Sequence, residues 1–134
     1  MKKELVGQFL EDLSLWAASQ KEILAVALVG SYARDAANPD SDVDILFITS
    51  HPEHYLIDSS GTTNYGVIEK QQTEQYGLVT SLRIWYVSGL EVEYGITDER
   101  WVALPLDAGT KRVISDGLCV LFERGNILSQ HQFQ

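Results

Sequence analysis

Ile23-Leu24-Ala25-Val26-Ala27-Leu28-Val29 runs straight into Gly30-Ser31-Tyr32-Ala33-Arg34-Asp35, and ten residues after Ser31 the chain reads Ser41-Asp42-Val43-Asp44-Ile45-Leu46-Phe47-Ile48-Thr49. The first run is apolar at every position and bounded by Lys21-Glu22 and Gly30, the pattern of a central strand covered on both faces. After Gly30-Ser31 the residues through Ala37 favour a short helix, and Asn38-Pro39-Asp40-Ser41 make a turn before a strand over residues 42–49. The order strand, glycine turn, helix, strand returns the chain to the same edge of a sheet. On the returning strand Asp42 and Asp44 leave one face while Val43, Ile45 and Phe47 turn to the other.

Upstream, Leu5, Phe9, Leu13 and Trp16, with Val6, Leu10 and Ala17 beside them, recur at helical spacing and predict an amphipathic helix over residues 2–19. Downstream, residues 50–64 contain Pro52, Gly61 and a Ser/Thr-rich segment, which predicts a loop with a helical turn near His54. Residues 65–76 read as a helix ended by Gly77. Strands over residues 78–87 and 90–96 flank Ser88-Gly89, a pair suited to a tight hairpin. Asp107 can cap a short helix through Ser115, and Gly117 precedes a last strand over residues 118–123.

A chain of 134 residues, 45% hydrophobic, suits one α/β domain over residues 1–134 with a single core. Its longest apolar run, residues 23–29, is far below the ~20 residues of a membrane-spanning helix. Glu4 interrupts the basic start Met1-Lys2-Lys3, so no signal peptide is expected and the expected location is cytoplasmic. The single cysteine, Cys119, cannot form an internal disulfide, and its apolar neighbours Leu118, Val120 and Leu121 predict a buried structural thiol. Nineteen acidic against ten basic residues give a formal charge of −9. That charge repels a phosphate backbone and argues against direct nucleic-acid binding. It leaves a cationic acceptor, or a site where metal ions neutralise clustered carboxylates.

An Asp-x-Asp pair on one strand face brings two carboxylates into one site, and adjacent anions resist joint ionisation unless a cation joins them. Hard divalent ions such as Mg²⁺ take oxygen ligands of this type. Alone, the pair is weak evidence, and an Asp/Ser-rich turn entering a strand reads first as turn capping and solvated surface acids. Gly30-Ser31 adds a turn where glycine admits a phosphate to the backbone and free N–H groups face it. No Gly-Lys-Ser/Thr follows, so this is not a P-loop. His51, His54 and His131 show no metal-ligand spacing and read as surface histidines, and Trp85 and Trp101 as packing residues. Arg34 and Arg83 read as solvated or paired, while Lys111-Arg112 could assist a phosphate.

Gly30-Ser31-Tyr32-Ala33-Arg34-Asp35 followed by Ser41-Asp42-Val43-Asp44-Ile45 resembles the signature of the nucleotidyltransferase superfamily that includes DNA polymerase β. The likeness is greatest to the aminoglycoside and minimal nucleotidyltransferases. It implies an α+β fold, a mixed sheet with helices mainly on one face and the acidic site on the other. It implies that Gly30 and Ser31 grip the phosphates of a nucleoside triphosphate, ATP above others, and that Asp42 and Asp44 hold two Mg²⁺ ions. A third carboxylate on a neighbouring strand completes such sites. Glu91 and Glu93 both qualify, pointing to one face of their strand, and Glu93 is favoured by its place between Val92 and Tyr94. The implied reaction moves a nucleoside monophosphate to a hydroxyl of a small molecule or protein, with a homodimer supplying any missing acceptor wall. The resemblance also leaves open an antitoxin-type domain that binds or modifies a helical HEPN partner, and a nucleotide-binding module without turnover.

Overall fold

The computed structural model describes residues 2–33, 41–57, 66–102, 118–125 and 127–128. Helix α1 (Lys2–Ser19) leads into β1 (Ile23–Val29), a four-residue turn of helix α2 (Gly30–Ala33), β2 (Val43–Thr49) and α3 (Pro52–Ile57). Strands β3 (Ile68–Tyr76), β4 (Val79–Tyr86) and β5 (Glu91–Thr97) follow, then a 3₁₀ turn (Glu99–Val102) and β6 (Cys119–Glu123). The six strands form one mixed sheet in the order β3-β4-β5-β2-β1-β6. Only β2 and β5 run parallel; the other neighbours are antiparallel.

Alternation along the strands divides the apolar residues between two faces. Val6, Phe9, Leu13 and Ala17 of α1 bury against one face, with Val26 of β1, Ile45 and Phe47 of β2, and Val92, Tyr94 and Ile96 of β5. Aromatic rings tie this layer together: Phe47 lies 5.6 Å from Tyr94 and 5.8 Å from Trp16, and Trp16 meets Tyr55 of α3 edge-on at 6.0 Å. The buried hydroxyls of Tyr86 and Tyr94 satisfy each other at 2.7 Å. The opposite face carries a smaller layer of Ala25, Ala27, Leu46, Ile48, Trp101, Leu118 and Leu128. Among the described residues, α1 and α3 therefore pack on one face of the sheet. Trp101, as expected, is a packing residue. Coverage of both faces explains why β1 and the core of β2 are apolar at nearly every position.

Arg124, just beyond β6, binds the far end of this assembly. Its guanidinium donates to the carbonyls of Ile23 (3.0 Å) and Gln20 (2.9 Å), and more distantly to that of Ala18 (3.4 Å). A cation thus satisfies carbonyls at and beyond the C-terminal end of α1, where helix carbonyls lack intrahelical partners.

Three expectations are corrected. Residues 68–76 form the edge strand β3, not a helix; Glu, Lys and Gln are good helix formers, and exposure of both faces removes the period-2 apolar signal. What decides is Gly77, at φ +59°, which closes a hairpin onto β4. The β4–β5 connection takes residues 87–90 rather than Ser88-Gly89 alone, because the strands end at Tyr86 and resume at Glu91. Cys119 is exposed, opening β6, which is an edge strand among the described residues. The expected segment after Ala33, the 58–64 loop, the 107–115 helix with Lys111-Arg112, and His131 lie outside the described residues. No helix among those described is long and apolar enough to cross a membrane.

Leu13 is fully buried and Leu15, on the same helix, is 68% exposed. Leu13→Ala should therefore cost about 3 kcal/mol in urea denaturation, and Leu15→Ala should stay within about 0.5 kcal/mol of wild type.

Candidate functional site

The register places one level of the sheet across five strands. Val29 pairs with Asp44, Asp44 with Glu93, Glu93 with Arg83, and Arg83 with Gln72. Asp42 precedes β2 by one residue, so it emerges on the same face as Asp44. The result is a cluster in which one carboxylate oxygen from each of Asp42, Asp44 and Glu93 lies within 4.8 Å of the others, all three side chains half-buried. Glu91, two residues earlier on β5, pairs with Trp85 and is not a member of the cluster.

Gly30 forms the wall behind Asp44. It sits at φ +75°, in the left-handed region, and a Cβ added there would collide with the Asp44 carboxylate. Absence of a side chain thus does two things at once: it lets the chain turn out of β1 and leaves room for the carboxylate against the backbone. Ser31 follows in α2 on the same edge.

Burial, then the charge of Asp42, then hydrogen bonding to Asp42 and Glu93 push Asp44 up to about 8, so that in the metal-free protein it holds a proton near neutrality. Glu93 moves the other way. Burial would raise it, but the Ser81 hydroxyl (2.6 Å) and the Arg83 guanidinium (2.8 Å) bond its ionised form and hold it below the usual carboxylate range. Burial also works against the Arg83 charge, and the bond to Glu93 with the charges of Glu93, Asp42 and Glu91 outweighs it. An all-oxygen donor set this close, with one carboxyl forced to keep its proton, fits a hard divalent cation.

Beside the carboxylates an open cleft of about 150 Å³ is lined by Gln72, Glu74, Ser81, Arg83 and Glu93. Its β3 wall was hidden from sequence by the helical composition of that segment. Ser81 and Arg83 could have been found from strand alternation, which sends both toward the face of Glu93. Arg83 is paired, donating to Asp42 at 3.0 Å as well as to Glu93.

At the opposite end of β2, His51 and His54 stack with ring centroids 4.9 Å apart and gather with Glu53. The Glu22 carboxylate lies 2.7 Å from His54 Nδ1, and that bond raises the imidazole's pKa. Both rings are on the surface, as their sequence context suggests, but the carboxylates beside them were not anticipated.

The six-stranded mixed sheet thus sets a glycine turn against an aspartate pair. The chain belongs to the nucleotidyltransferase domain family, whose sequence profile matches residues 8–100, a span holding Gly30, Asp42, Asp44 and Glu93. The crystal structure of an aminoglycoside 6-adenyltransferase from Bacillus subtilis shares the fold, with a TM-score of 0.53 and 17% sequence identity over 69% of this chain. The match spans 35% of that protein's own chain. No curated protein matches in sequence.

Two outcomes follow from this geometry. Gly30→Ala should lower stability by at least about 1–2 kcal/mol, read by chemical denaturation, from the left-handed conformation alone. Asp44 has a folded pKa above its unfolded value, so its contribution is full below about pH 4 and lost as pH rises towards 8. Glu93, shifted down, contributes fully above the ordinary carboxylate range and loses that contribution as pH falls below it, so its pH dependence lies on the acid side of that window. In chelator-treated protein the thermal midpoint should fall between about pH 5 and 8, and Asp44→Asn should flatten that slope; a slope unchanged in the variant would contradict the assignment.

Proposed function

We propose that the domain is an active, magnesium-dependent nucleotidyltransferase that moves a nucleoside monophosphate from a nucleoside triphosphate to an acceptor hydroxyl and releases pyrophosphate. The observation that carries this reading is the convergence of Asp42, Asp44 and Glu93 beside the side-chain-free wall of Gly30. In this reading the backbone at Gly30 and Ser31 binds the β,γ-phosphates, Asp42 and Asp44 hold two Mg²⁺ ions, and Glu93 is the third ligand. Magnesium, when bound, neutralises charge on the attacking and leaving oxygens. Glu93, ionised by its Ser81 and Arg83 bonds, has an oxygen with which to accept the acceptor hydroxyl's proton.

The cleft beside Glu93 offers the acceptor a polar wall of Gln72, Glu74 and Ser81. Its acidic and amide groups suit a hydroxyl carried by a polar molecule or an exposed protein side chain. ATP is the preferred donor, a choice supported by the adenyl transfer in the name of the Bacillus subtilis protein. A cytoplasmic location, where ATP and magnesium are plentiful, accords with this chemistry.

Incubation with α-labelled nucleoside triphosphates, magnesium and cell extract should transfer label to an acceptor. Asp42→Asn, Asp44→Asn and Glu93→Gln should each reduce transfer at least about a hundredfold, whereas Glu91→Gln should stay within about threefold of wild type, since Glu91 is outside the carboxylate cluster. Metal-dependent triphosphate binding with no labelled acceptor would reduce the domain to a binding module. Equal losses in the Glu91 and Glu93 variants would remove the special place of Glu93.

A further inference from the structure

One nitrogen of Arg83 stands between two carboxylates from different strands, 3.0 Å from Asp42 Oδ2 and 2.8 Å from Glu93 Oε2. Both carboxylates belong to the cluster that would ligate a divalent ion. We propose that Arg83 is the site's internal counter-cation, holding Asp42 and Glu93 together in the metal-free protein and competing with the divalent ion for the same two carboxylates. This rests on the metal-binding reading above.

Geometry and charge support the competition. A Mg²⁺ ion bonds carboxylate oxygen at about 2.0–2.1 Å, so an ion on either of these oxygens would stand no more than about 5 Å from the guanidinium nitrogen. At that separation in a half-buried site a double and a single positive charge repel strongly. Arg83 has somewhere to go, because its side chain is 38% exposed and borders the open cleft. Glu74 lines the same cleft, Glu91 adds favourable charge, and the Trp85 ring lies 5.9 Å from the guanidinium carbon. The guanidinium can therefore leave Asp42 and remain among acidic and aromatic groups. Arg83 acts through the carboxylates and is a positioning residue, not a catalytic one.

The test is Mn²⁺ titration of the full chain by calorimetry, with thermal midpoints measured in chelator and in saturating Mn²⁺. Arg83→Gln should bind Mn²⁺ about two- to fivefold tighter than wild type, the equivalent of removing one partly exposed ion pair. Arg83→Lys, which keeps the charge, should restore most of the competition. The midpoint of Arg83→Gln should drop in chelator and meet that of wild type in saturating Mn²⁺. Arg83→Met, which preserves the packing of the stem, should behave as Arg83→Gln does. Equal or weaker Mn²⁺ binding by both uncharged variants, or the same midpoint loss in both buffers, would overturn the proposal and leave the metal site standing. Failure of wild type and all variants to bind Mn²⁺ would overturn the metal reading with it.

Discussion

Three carboxylates cannot share one level of a sheet unless something positive shares it with them, and much of this structure is arranged around that constraint. Asp44 lies on β2, with Asp42 one residue ahead of it, and Glu93 lies on the parallel neighbour. Without a metal ion the charge is relieved twice over, by a proton kept on Asp44 and by the guanidinium of Arg83. Ser81, buried on β4, holds Glu93 from its other oxygen. The strands that carry Asp44 and Glu93 are themselves fixed by apolar layers on both faces, so these two acids are mounted on rigid elements, and Asp42 stands one residue ahead of β2. A cluster of mutually repelling groups is tolerated here because the surrounding core fixes where each strand must lie.

The site also shows why a glycine can be as specific as a charged residue. Gly30 has one neighbour that any side chain would strike, the Asp44 carboxylate, and a backbone conformation that other residues rarely adopt. Either condition alone would favour glycine. Together they make the turn out of β1 and the placement of the acid a single requirement.

Much of this was legible in the sequence, for identifiable reasons. α1, β1 and β2 are covered by apolar neighbours, and burial writes itself into the chain as helical stripes or continuous hydrophobic runs. Asp42 and Asp44 stand out because they interrupt such a run. β3 was illegible because it has no buried face: Glu69-Lys70-Gln71-Gln72 records only exposure, and the pairing that makes it a strand is supplied by β4. The choice between Glu91 and Glu93 depends on the register of β5 against β2, which alternation leaves open by two residues. The partnership of Arg83 with two acids is a further consequence of register. Cys119 misled for the opposite reason, as its apolar neighbours describe a strand that has lost one flank.

The parallel pairing of β2 with β5 has a consequence for the order in which the molecule assembles. Residues 43–49 and 91–97 are joined only after α3 and the β3–β4 hairpin have intervened. Closing so long a segment carries an entropic cost that local hairpins do not face, so contacts of this kind form slowly. Asp44 and Glu93 are therefore kept apart along the chain for as long as the segment between them stays open. The same separation brings Arg83 along with Glu93, since β4 and β5 are hairpin partners. The second group of negative charge arrives already accompanied by its positive one.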